Sequence, residues 1–333
     1  MNIPYRSIDD YLPIDVAALR PKGSYGDLIR QRTHAIDGLI AQHGRIPADL
    51  LIERRCPTCD ANHWRHELAK DHMDLVRCQT CDLVFVNPAF DEAHYQQVYA
   101  SEAYQKIMQG LGESSHDYRV QRFGAERVTI MARHLPGLPT PRYLDVGCST
   151  GFVVEAARDA GWDATGVDLN PSAVAFGRAR GLNLLPLALG DGAFAPASFD
   201  AISLFDVLEH LLHPRATLEQ AARLLRPGGI LFLYVPNYDS ASRLLMGAAA
   251  HFIWPTHHLN YYTPITMADL MRQVGLSVET VTTEGLDFVD FFWNRRELHG
   301  EDTSALEPLA DTLQFLANAG AYGKNLRVLA RTA

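Results

Sequence analysis

The chain has 333 residues, of which 47% are hydrophobic and 21% charged, values that predict a folded globular protein long enough for two domains. Its formal net charge of -9 argues against a nucleic-acid partner, because affinity for phosphates comes mainly from lysine and arginine. The best candidate for a local basic patch, Arg54 with Arg55, is short and is interpreted as solvated surface.

The first 50 residues show no chemistry that we can assign. They begin with an acidic stretch, Met1 to Asp10, that lacks the basic and then apolar layout of a signal peptide, and the chain contains no run of 18 apolar residues. We therefore expect no membrane span and a cytoplasmic location. A helical pattern covers Tyr25 to His43 and ends near Gly44 and Pro47.

Four cysteines follow in two Cys-x-x-Cys pairs, Cys56 with Cys59 and Cys78 with Cys81, separated by 18 residues. Four thiolates in two such turns can close a tetrahedral site, and the spacing is typical of a zinc ribbon. Disulfides are disfavoured because cytosolic thiols stay reduced. Four cysteine ligands leave no open coordination position, so we predict a structural zinc ion.

A strand, a tight turn and a helix are predicted for Tyr143 to Ala160. Apolar residues lead through Asp145 into a loop that contains Gly147 and Gly151, and a helical pattern begins at Phe152. Glycine allows strained backbone angles and a close approach to a ligand, and a helix N-terminus offers its N–H groups to an anion. The pattern indicates a ligand-binding loop.

Three further segments extend this pattern. Asp168 ends the next short strand, about twenty residues beyond the loop, where an acid accepts both hydroxyls of a ribose in nucleotide-binding βαβ units. A segment from Ser198 to His210 ends in Leu-Glu-His, and Arg226-Pro-Gly-Gly then precedes an apolar strand. The alternation of β and α patterns predicts a mainly parallel sheet with helices on both faces.

Capping residues mark two of the later helices. Asn170 precedes Pro171 at a helix start, and Gly181 lies just past the end. Thr263-Pro264 begins another helix that stops near Gly275. After residue 300 we expect a peripheral helix and a last strand, Asn325 to Ala330.

Taken in order, these motifs resemble those of class I S-adenosylmethionine-dependent methyltransferases, over roughly residues 115–285. The resemblance implies an α/β fold with a Rossmann-like, doubly wound sheet and S-adenosylmethionine as cofactor. A Rossmann dehydrogenase is the alternative, but the loop lacks Gly-x-Gly-x-x-Gly. Ser149 stands where the methyltransferase family often has glycine, so the loop departs from the full pattern of that family. The cofactor contacts implied are Asp145, Gly147 and Gly151 for methionine, Asp168 for ribose, Leu169 beside adenine, and Cys148, Leu189 and Phe205.

We divide the chain into five segments. They are an N-terminal helical extension (1–50), a small zinc-ribbon-like module (51–90), a helical connection (91–134), the methyltransferase domain (135–299), and a C-terminal helix and strand that complete that domain (300–333).

Methyl transfer to a hydroxyl or an acidic carbon needs a proton acceptor, and ligands of open α/β sheets bind beyond the carboxyl ends of the strands. One candidate cluster is Asp206, Glu209 and His210, whose spacing places all three on one face of a starting helix. The other lies in His251 to Tyr262, where paired histidines stand among aromatic residues. We favour His258 as the base, with His257 next and His210 and Tyr262 as further candidates.

A divalent cation is a second possibility for these clusters. They resemble ubiquinone-pathway O-methyltransferases and plant small-RNA 2′-O-methyltransferases, in which Glu-x-x-Glu-His and a later histidine bind a metal beside the acceptor hydroxyl. Here Asp206 replaces the first glutamate and is shorter by one methylene. The resemblance implies a second metal site formed by Asp206, Glu209, His210 and His257 or His258.

The predicted function is methyl transfer to a small molecule: a sugar, a natural product or a quinone-like phenol. The zinc module before the methyltransferase domain resembles the architecture of deoxysugar C-methyltransferases. Two other classes remain open, RNA methylation with the module as RNA binder, and a scaffold protein that binds the cofactor without turnover. The methyl acceptor, the choice of oxygen, carbon or nitrogen, and the oligomeric state are not fixed by the sequence.

Overall fold

The computed structural model describes residues 7–20, 34–101, 105, 110, 112–190 and 192–333. The helix expected over Tyr25 to His43 is observed from His34, and its earlier part lies outside these residues. Short 3-10 turns occur at Ile8–Asp10, Ala48–Leu50, Leu208–His210, Gly247–Ala249 and Glu307–Leu309. The elements up to residue 134 are α1 (Val16–Leu19), α2 (His34–His43), β1 (Leu51–Ile52), β2 (Trp64–Lys70), β3 (Met73–Cys78), β4 (Val84–Val86), β5 (Ala89–Phe90), α3 (Glu92–Ala100), α4 (His116–Arg119), a π-helical turn (Val120–Gly124) and α5 (Ala125–Arg133).

The rest of the chain alternates strands and helices, as expected from the sequence. Its elements are β6 (Arg142–Val146), α6 (Phe152–Asp159), β7 (Asp163–Val167), α7 (Pro171–Ala179), β8 (Leu184–Leu185), β9 (Phe199–Phe205), α8 (Pro214–Leu224), β10 (Leu225–Pro236), α9 (Ala241–Met246), β11 (Asn260–Tyr261), α10 (Pro264–Gln273), β12 (Leu276–Glu284), α11 (Asp287–His299), α12 (Ala310–Ala319) and β13 (Asn325–Thr332).

A seven-stranded sheet in the order β12-β13-β10-β9-β6-β7-β8 forms the centre of this part. The pairs from β10 to β8 are parallel, whereas β13 is antiparallel to both of its neighbours. Alternate residues of the strands face opposite layers of helices. Tyr143 packs towards α5 and α6, and its neighbour Leu144 packs towards α8 and α10. The Rossmann-like, doubly wound sheet is thus confirmed.

The expected caps are present. The Asn170 side chain accepts hydrogen bonds from Ser172 N and Ala173 N at the start of α7, and Thr263 forms a capping box at the start of α10. The expected last strand is also present as β13, and it lies inside the sheet between β10 and β12. No helix among the described residues combines the length and the apolar character needed to cross a bilayer.

The four cysteines lie beside a second sheet of four strands, ordered β11-β4-β3-β2. Three of these strands come from residues 64–86, and β11 comes from the chain after the paired histidines. Asn260 pairs with Phe85 and Tyr261 with Val84. The segment 51–90, here called the cysteine module, therefore shares its sheet with the rest of the protein. Its buried Cys56, Val76 and Phe85 also belong to the core on the α8 and α10 face.

Candidate functional site

The loop between β6 and α6 needs glycine at two positions. Gly147 and Gly151 have φ angles of 71° and 82°, which an L side chain rarely adopts. A Cβ at Gly147 would lie 2.3 Å from Val207 Cγ2, so this loop touches the segment that follows β9. Ser149 also has a left-handed φ, 50°, and its N–H donates to Asp168 Oδ2 over 2.7 Å. This hydrogen bond offsets the strain of a serine at that position.

Asp168 lies at the same edge, directly after β7. Its Oδ1 accepts a hydrogen bond of 2.7 Å from Asn170 N, and burial raises the pKa of the carboxyl although its backbone partners oppose the shift. The adjacent Leu169 side chain is 71% exposed. Each carboxylate oxygen has a further lone pair to offer. A half-buried acceptor next to an exposed apolar side chain suits the ribose and the base of a nucleoside.

Asp145 is 2% exposed and ends a chain of hydroxyl groups. Ser203 Oγ donates to Asp145 Oδ1 over 2.5 Å and lies 2.5 Å from the Tyr143 hydroxyl. Burial raises the pKa of Asp145 to about 7, and the Ser203 hydrogen bond and the charge of Arg127 oppose this shift. The carboxyl group therefore changes its charge near neutral pH.

Arg127 on α5 is a residue that the sequence did not indicate. It is 5% exposed, and its Cζ lies 4.1 Å from the ring centroid of Phe205 and 4.8 Å from that of Tyr234. No hydrogen bond or ion pair joins its guanidinium to another of the described residues. A buried cation with no direct ion pair among the described residues, and with the charges of Asp145 and Asp206 nearby, can accept an anionic ligand group at this edge. Arg127 is one basic residue among several in a helical pattern, so no sequence signal could have singled it out.

Besides Asp145, three of the expected cofactor residues have buried side chains: Cys148, Leu189 and Phe205. The sulfur of Cys148 packs against Gly166 within a small apolar cluster that also contains Val154. Burial raises the pKa of this thiol well above its usual range. Cys148 therefore offers a ligand its backbone, and the thiol is unsuited to act as a nucleophile.

The segment after β9 differs from the expected helix start. Asp206 has a φ of 56°, and only the 3-10 turn Leu208–His210 precedes α8, which begins at Pro214. The expectation that Asp206, Glu209 and His210 share one helical face is wrong, because the left-handed residue interrupts the turn. In this region the ligand atoms of Glu209, His210 and His258 lie within 4.8 Å of one another. We call these three residues the acceptor cluster.

Backbone carbonyls orient both histidines of the acceptor cluster. His210 Nδ1 lies 3.0 Å from His257 O, and His258 Nδ1 lies 2.8 Å from Phe252 O. A carbonyl oxygen only accepts, so each neutral ring carries its proton on Nδ1 and its lone pair on Nε2. His210 Nε2 is 3.9 Å from Glu209 Oε1. Nε2 is therefore the unprotonated nitrogen in both neutral rings.

Glu209 is 1% exposed, and its Oε2 has no hydrogen-bond partner in the part of the chain that is described. Burial raises the pKa of this carboxyl well above its usual range, with a further contribution from Asp206, and burial lowers the pKa of His210 to about 4. A buried carboxylate without a counter-charge is costly unless it is protonated or binds a cation. Two imidazole nitrogens and one carboxylate form a donor set for divalent metals such as zinc, manganese or iron.

The side chains of His257 and Tyr262 are not part of the acceptor cluster, although the His257 carbonyl accepts the hydrogen bond from His210. His257 stacks on Trp254 at 3.9 Å between ring centroids, and its Nδ1 is 2.9 Å from Thr256 Oγ1. Tyr262 is fully buried in the core that also contains Cys56, and its hydroxyl has no hydrogen-bond partner among the described residues. Of the four catalytic candidates, the structure brings His258 and His210 together.

The four cysteines are gathered as free thiols by two turns of the same form. In each turn the first cysteine N–H donates to a carbonyl five residues later, Cys56 to Ala61 and Cys78 to Leu83. An aspartate with positive φ follows the second cysteine of each pair. Cys56 Sγ is 3.5 Å from Cys81 Sγ, and Cys59 Sγ is 3.5 Å from Cys78 Sγ. A tetrahedral site with bonds of ~2.3 Å has edges of roughly 3.8 Å, so the arrangement fits a zinc ion.

The interpretation of Arg54 as solvated surface is wrong. Arg54 is 7% exposed, and its Nη2 donates to Leu212 O and to Asn260 Oδ1, both over 3.1 Å. Burial lowers its pKa to about 10, which leaves the guanidinium charged at neutral pH. Arg55 is the exposed member of the pair and binds Asp60. The arginine is inside because it bridges the cysteine module and the segment after β9.

Comparisons with known proteins agree with this geometry. Residues 116–281 match a family described as "Methyltransferase domain". A ubiquinone biosynthesis O-methyltransferase of Xylella fastidiosa (strain 9a5c) is 32% identical over 169 residues, which cover 47% of this chain and 68% of that protein. The protein of the same name from Xanthomonas campestris pv. campestris (strain B100) is 34% identical over 158 residues, 44% of this chain and 66% of that protein.

Solved structures show a weaker similarity. A putative methyltransferase in complex with the Haloferax volcanii Trm112 activator is 18% identical, with a TM-score of 0.49, and the match covers 69% of this chain and 95% of that chain. The family therefore rests on the sequence relatives together with the glycine loop and Asp168. The chain belongs to the class I S-adenosylmethionine-dependent methyltransferases.

Proposed function

We propose that this protein transfers a methyl group from S-adenosylmethionine to a hydroxyl group of a small molecule, with the acceptor cluster beside the reacting oxygen. The observation that carries the proposal is the contact between Gly147 and Val207. It places the segment that bears Glu209 and His210 next to the loop that would hold the cofactor. The relatives' name, O-methyltransferase, supports a hydroxyl acceptor, and the acidic net charge supports a small molecule over a nucleic acid.

The cofactor would be held by the edge that runs from β6 to β7. Gly147 and Gly151 would allow its methionine part to approach the backbone, and Asp168 would accept the ribose hydroxyls, with Leu169 beside the adenine. Arg127 would bind the cofactor carboxylate, and Asp145 would lie near its ammonium group. S-adenosylmethionine supplies the methyl group for an in-line displacement, so the task of these residues is to fix its orientation.

The acceptor cluster would hold a divalent cation. His210 and His258 each present an Nε2 lone pair, and the Glu209 Oε2 atom without a hydrogen-bond partner would supply the charge that such an ion needs. A cation at this position acts as a Lewis acid and lowers the pKa of a hydroxyl group. In its absence His258, oriented by the Phe252 carbonyl, is the group best aligned to take the proton directly.

One structural zinc ion would be bound by the four cysteines Cys56, Cys59, Cys78 and Cys81. The sulfur distances support this assignment, and four thiolates leave no coordination position for a substrate. The free thiols are compatible with a cytoplasmic location, where cysteines stay reduced.

Two measurements test the proposal. Calorimetry with S-adenosylhomocysteine should show binding that Asp168→Ala weakens by about tenfold or more, because a buried acceptor for two hydroxyls is removed. Asp163→Ala, an exposed acid at the other end of β7, is the matched control and should bind normally. Absence of binding by the wild type would refute the cofactor assignment.

The second measurement is turnover with 3,4-dihydroxybenzoate as a probe for a phenolic hydroxyl. Removal of weakly bound divalent ions should lower turnover by a factor on the order of 10². Added Mg²⁺ or Mn²⁺ should restore it while elemental analysis still finds about one zinc per chain. Turnover that is unaffected by chelation would favour His258 as the direct base.

A further inference from the structure

Arg54 stands at a junction between three segments that are distant in sequence. Its Nη1 donates to Val86 O over 3.3 Å, and its own backbone N–H donates to Asn87 Oδ1 over 2.7 Å, which ties it to the cysteine module. Through Nη2 it reaches Leu212 O, at the end of the segment that carries Glu209, and Asn260 Oδ1, on the strand that follows His258. One buried cation thus joins the module to both halves of the acceptor cluster.

Asn260 continues this connection. Its Oδ1 accepts from Arg54, and its Nδ2 donates to Leu208 O over 3.2 Å and to Leu211 O over 2.7 Å. The orientation of the amide is fixed, because a guanidinium only donates and carbonyls only accept. Asn260 therefore binds the turn that carries Glu209 and His210 at the carbonyl groups that precede and follow these two residues.

Residues 251–259, here called the histidine loop, are also joined directly to the turn Leu208–His210, here called the Glu209 turn. Leu259 N donates to Glu209 O over 2.7 Å, and His210 Nδ1 donates to His257 O. The cysteine module also contacts this loop, because Lys70 Nζ donates to Ile253 O over 2.6 Å. The geometry of the acceptor cluster therefore depends on contacts that originate in the module.

We propose that Arg54 is a positioning residue for methyl transfer: acting through Asn260, it fixes Glu209, His210 and His258 relative to one another, so the cysteine module is part of the acceptor site. The expected loss of kcat rests on the proposed function, whereas the claim that Arg54 fixes the geometry of the acceptor cluster can be tested without turnover. This proposal differs from one in which the cysteine module only binds a partner. In that case the residues of the module would have no effect on the reaction of a small acceptor. A displacement of about 1 Å at a reacting centre costs up to about 10² in rate, so a loosened cluster should lower kcat.

The test uses the whole 333-residue chain and begins with three variants at Arg54 and Arg55. Arg54→Met keeps an apolar side chain over Phe85 but removes the donors, Arg54→Lys keeps the charge, and Arg55→Met removes the exposed neighbouring arginine as the matched control. Turnover is measured with 3,4-dihydroxybenzoate, cofactor affinity with S-adenosylhomocysteine, and module integrity by zinc content.

Arg54→Met should lower kcat by about tenfold to a hundredfold, with affinity for S-adenosylhomocysteine within about twofold and zinc content unchanged. Arg54→Lys should recover part of the loss, and Arg55→Met should match the wild type. Asn260→Ala should lower kcat by a similar factor, and the double variant should lose less than the product of the two single losses, because the two side chains share one hydrogen bond while Arg54 also reaches the same turn at Leu212 O. Wild-type kcat in Arg54→Met, a parallel loss of cofactor affinity, or additive effects would each overturn the proposal.

Hydrogen exchange separates this proposal from the proposed function. Amides of residues 208–212 and 257–261 should exchange faster in Arg54→Met than in Arg55→Met, whether or not an acceptor is turned over. If the wild type methylates no acceptor, the proposed function fails and the exchange comparison still decides the role of Arg54. Equal exchange in the two variants would overturn it.

Discussion

The sheet edge that runs from β6 to β7, here called the cofactor edge, is built in the opposite way from the acceptor cluster. The cofactor edge uses a strand, a turn and a helix that follow one another in the chain, from β6 to α6, and a second acid just after β7. The acceptor cluster takes Glu209 and His210 from one loop and His258 from another, and both are held by Arg54 from the cysteine module. A site that is contiguous in sequence is supported by its own backbone, whereas an assembled site depends on every segment that contributes to it.

The largest expected effect separates the paired histidines His257 and His258, of which His258 belongs to the assembled site. His258→Ala should lower kcat by a factor on the order of 10² to 10⁴ while affinity for S-adenosylhomocysteine is preserved, because the ring presents Nε2 to the cluster. His257→Ala should cost less than about tenfold, because that ring stacks on Trp254 outside the cluster. Steady-state kinetics with the phenolic probe checks this, and equal losses would contradict it.

Gly147→Ala tests the contact between Gly147 and Val207, which joins the two regions. The new methyl group would meet Val207 at 2.3 Å, and the positive φ adds strain, so cofactor affinity should fall by about tenfold or more and kcat should fall with it. Gly137→Ala is the control, since Gly137 has a φ of 79° with no atom near a new Cβ. If both variants bind S-adenosylhomocysteine equally well, the contact does not couple the regions.

A pH titration sharpens the comparison within the cofactor edge. Burial raises the pKa of Asp145 to about 7, so the free protein holds a proton on this carboxyl below that pH. Binding of the cofactor ammonium requires the ionised form and must release the proton, so affinity should fall towards tenfold per pH unit as the pH drops below about 7. Calorimetry with S-adenosylhomocysteine across this range measures the effect. Asp145→Asn should bind weakly and lose the pH dependence.

The smallest effect is expected for Tyr262→Phe. The hydroxyl is buried with no partner among the described residues, so its removal should leave kcat within about twofold and should keep or slightly raise the unfolding temperature. A large loss of kcat with an intact fold would return Tyr262 to the list of catalytic residues.

The contrast between the regions also explains what the sequence could predict. Gly147, Gly151 and Asp168 lie in a local motif whose backbone demands are visible in the residue types, and the cysteine pairs are defined by short spacing. The Glu209 turn was mistaken for a helix start because spacing alone does not show the left-handed Asp206. Arg54 was interpreted as solvated surface and Arg127 was not indicated, since the burial of an arginine depends on segments far away in the chain.

The pairing of β4 with β11 has a consequence for the synthesis of the chain. Phe85 and Asn260 are 175 positions apart, so the four-stranded sheet lacks its outer strand until most of the protein has left the ribosome. During that interval β4 presents an open edge with unpaired backbone groups, and such edges are prone to join other chains. Early metal binding by the two cysteine turns would order β3 and β4 before their last neighbour exists. The step that completes the cysteine module is thus the same late step that brings the histidine loop into place.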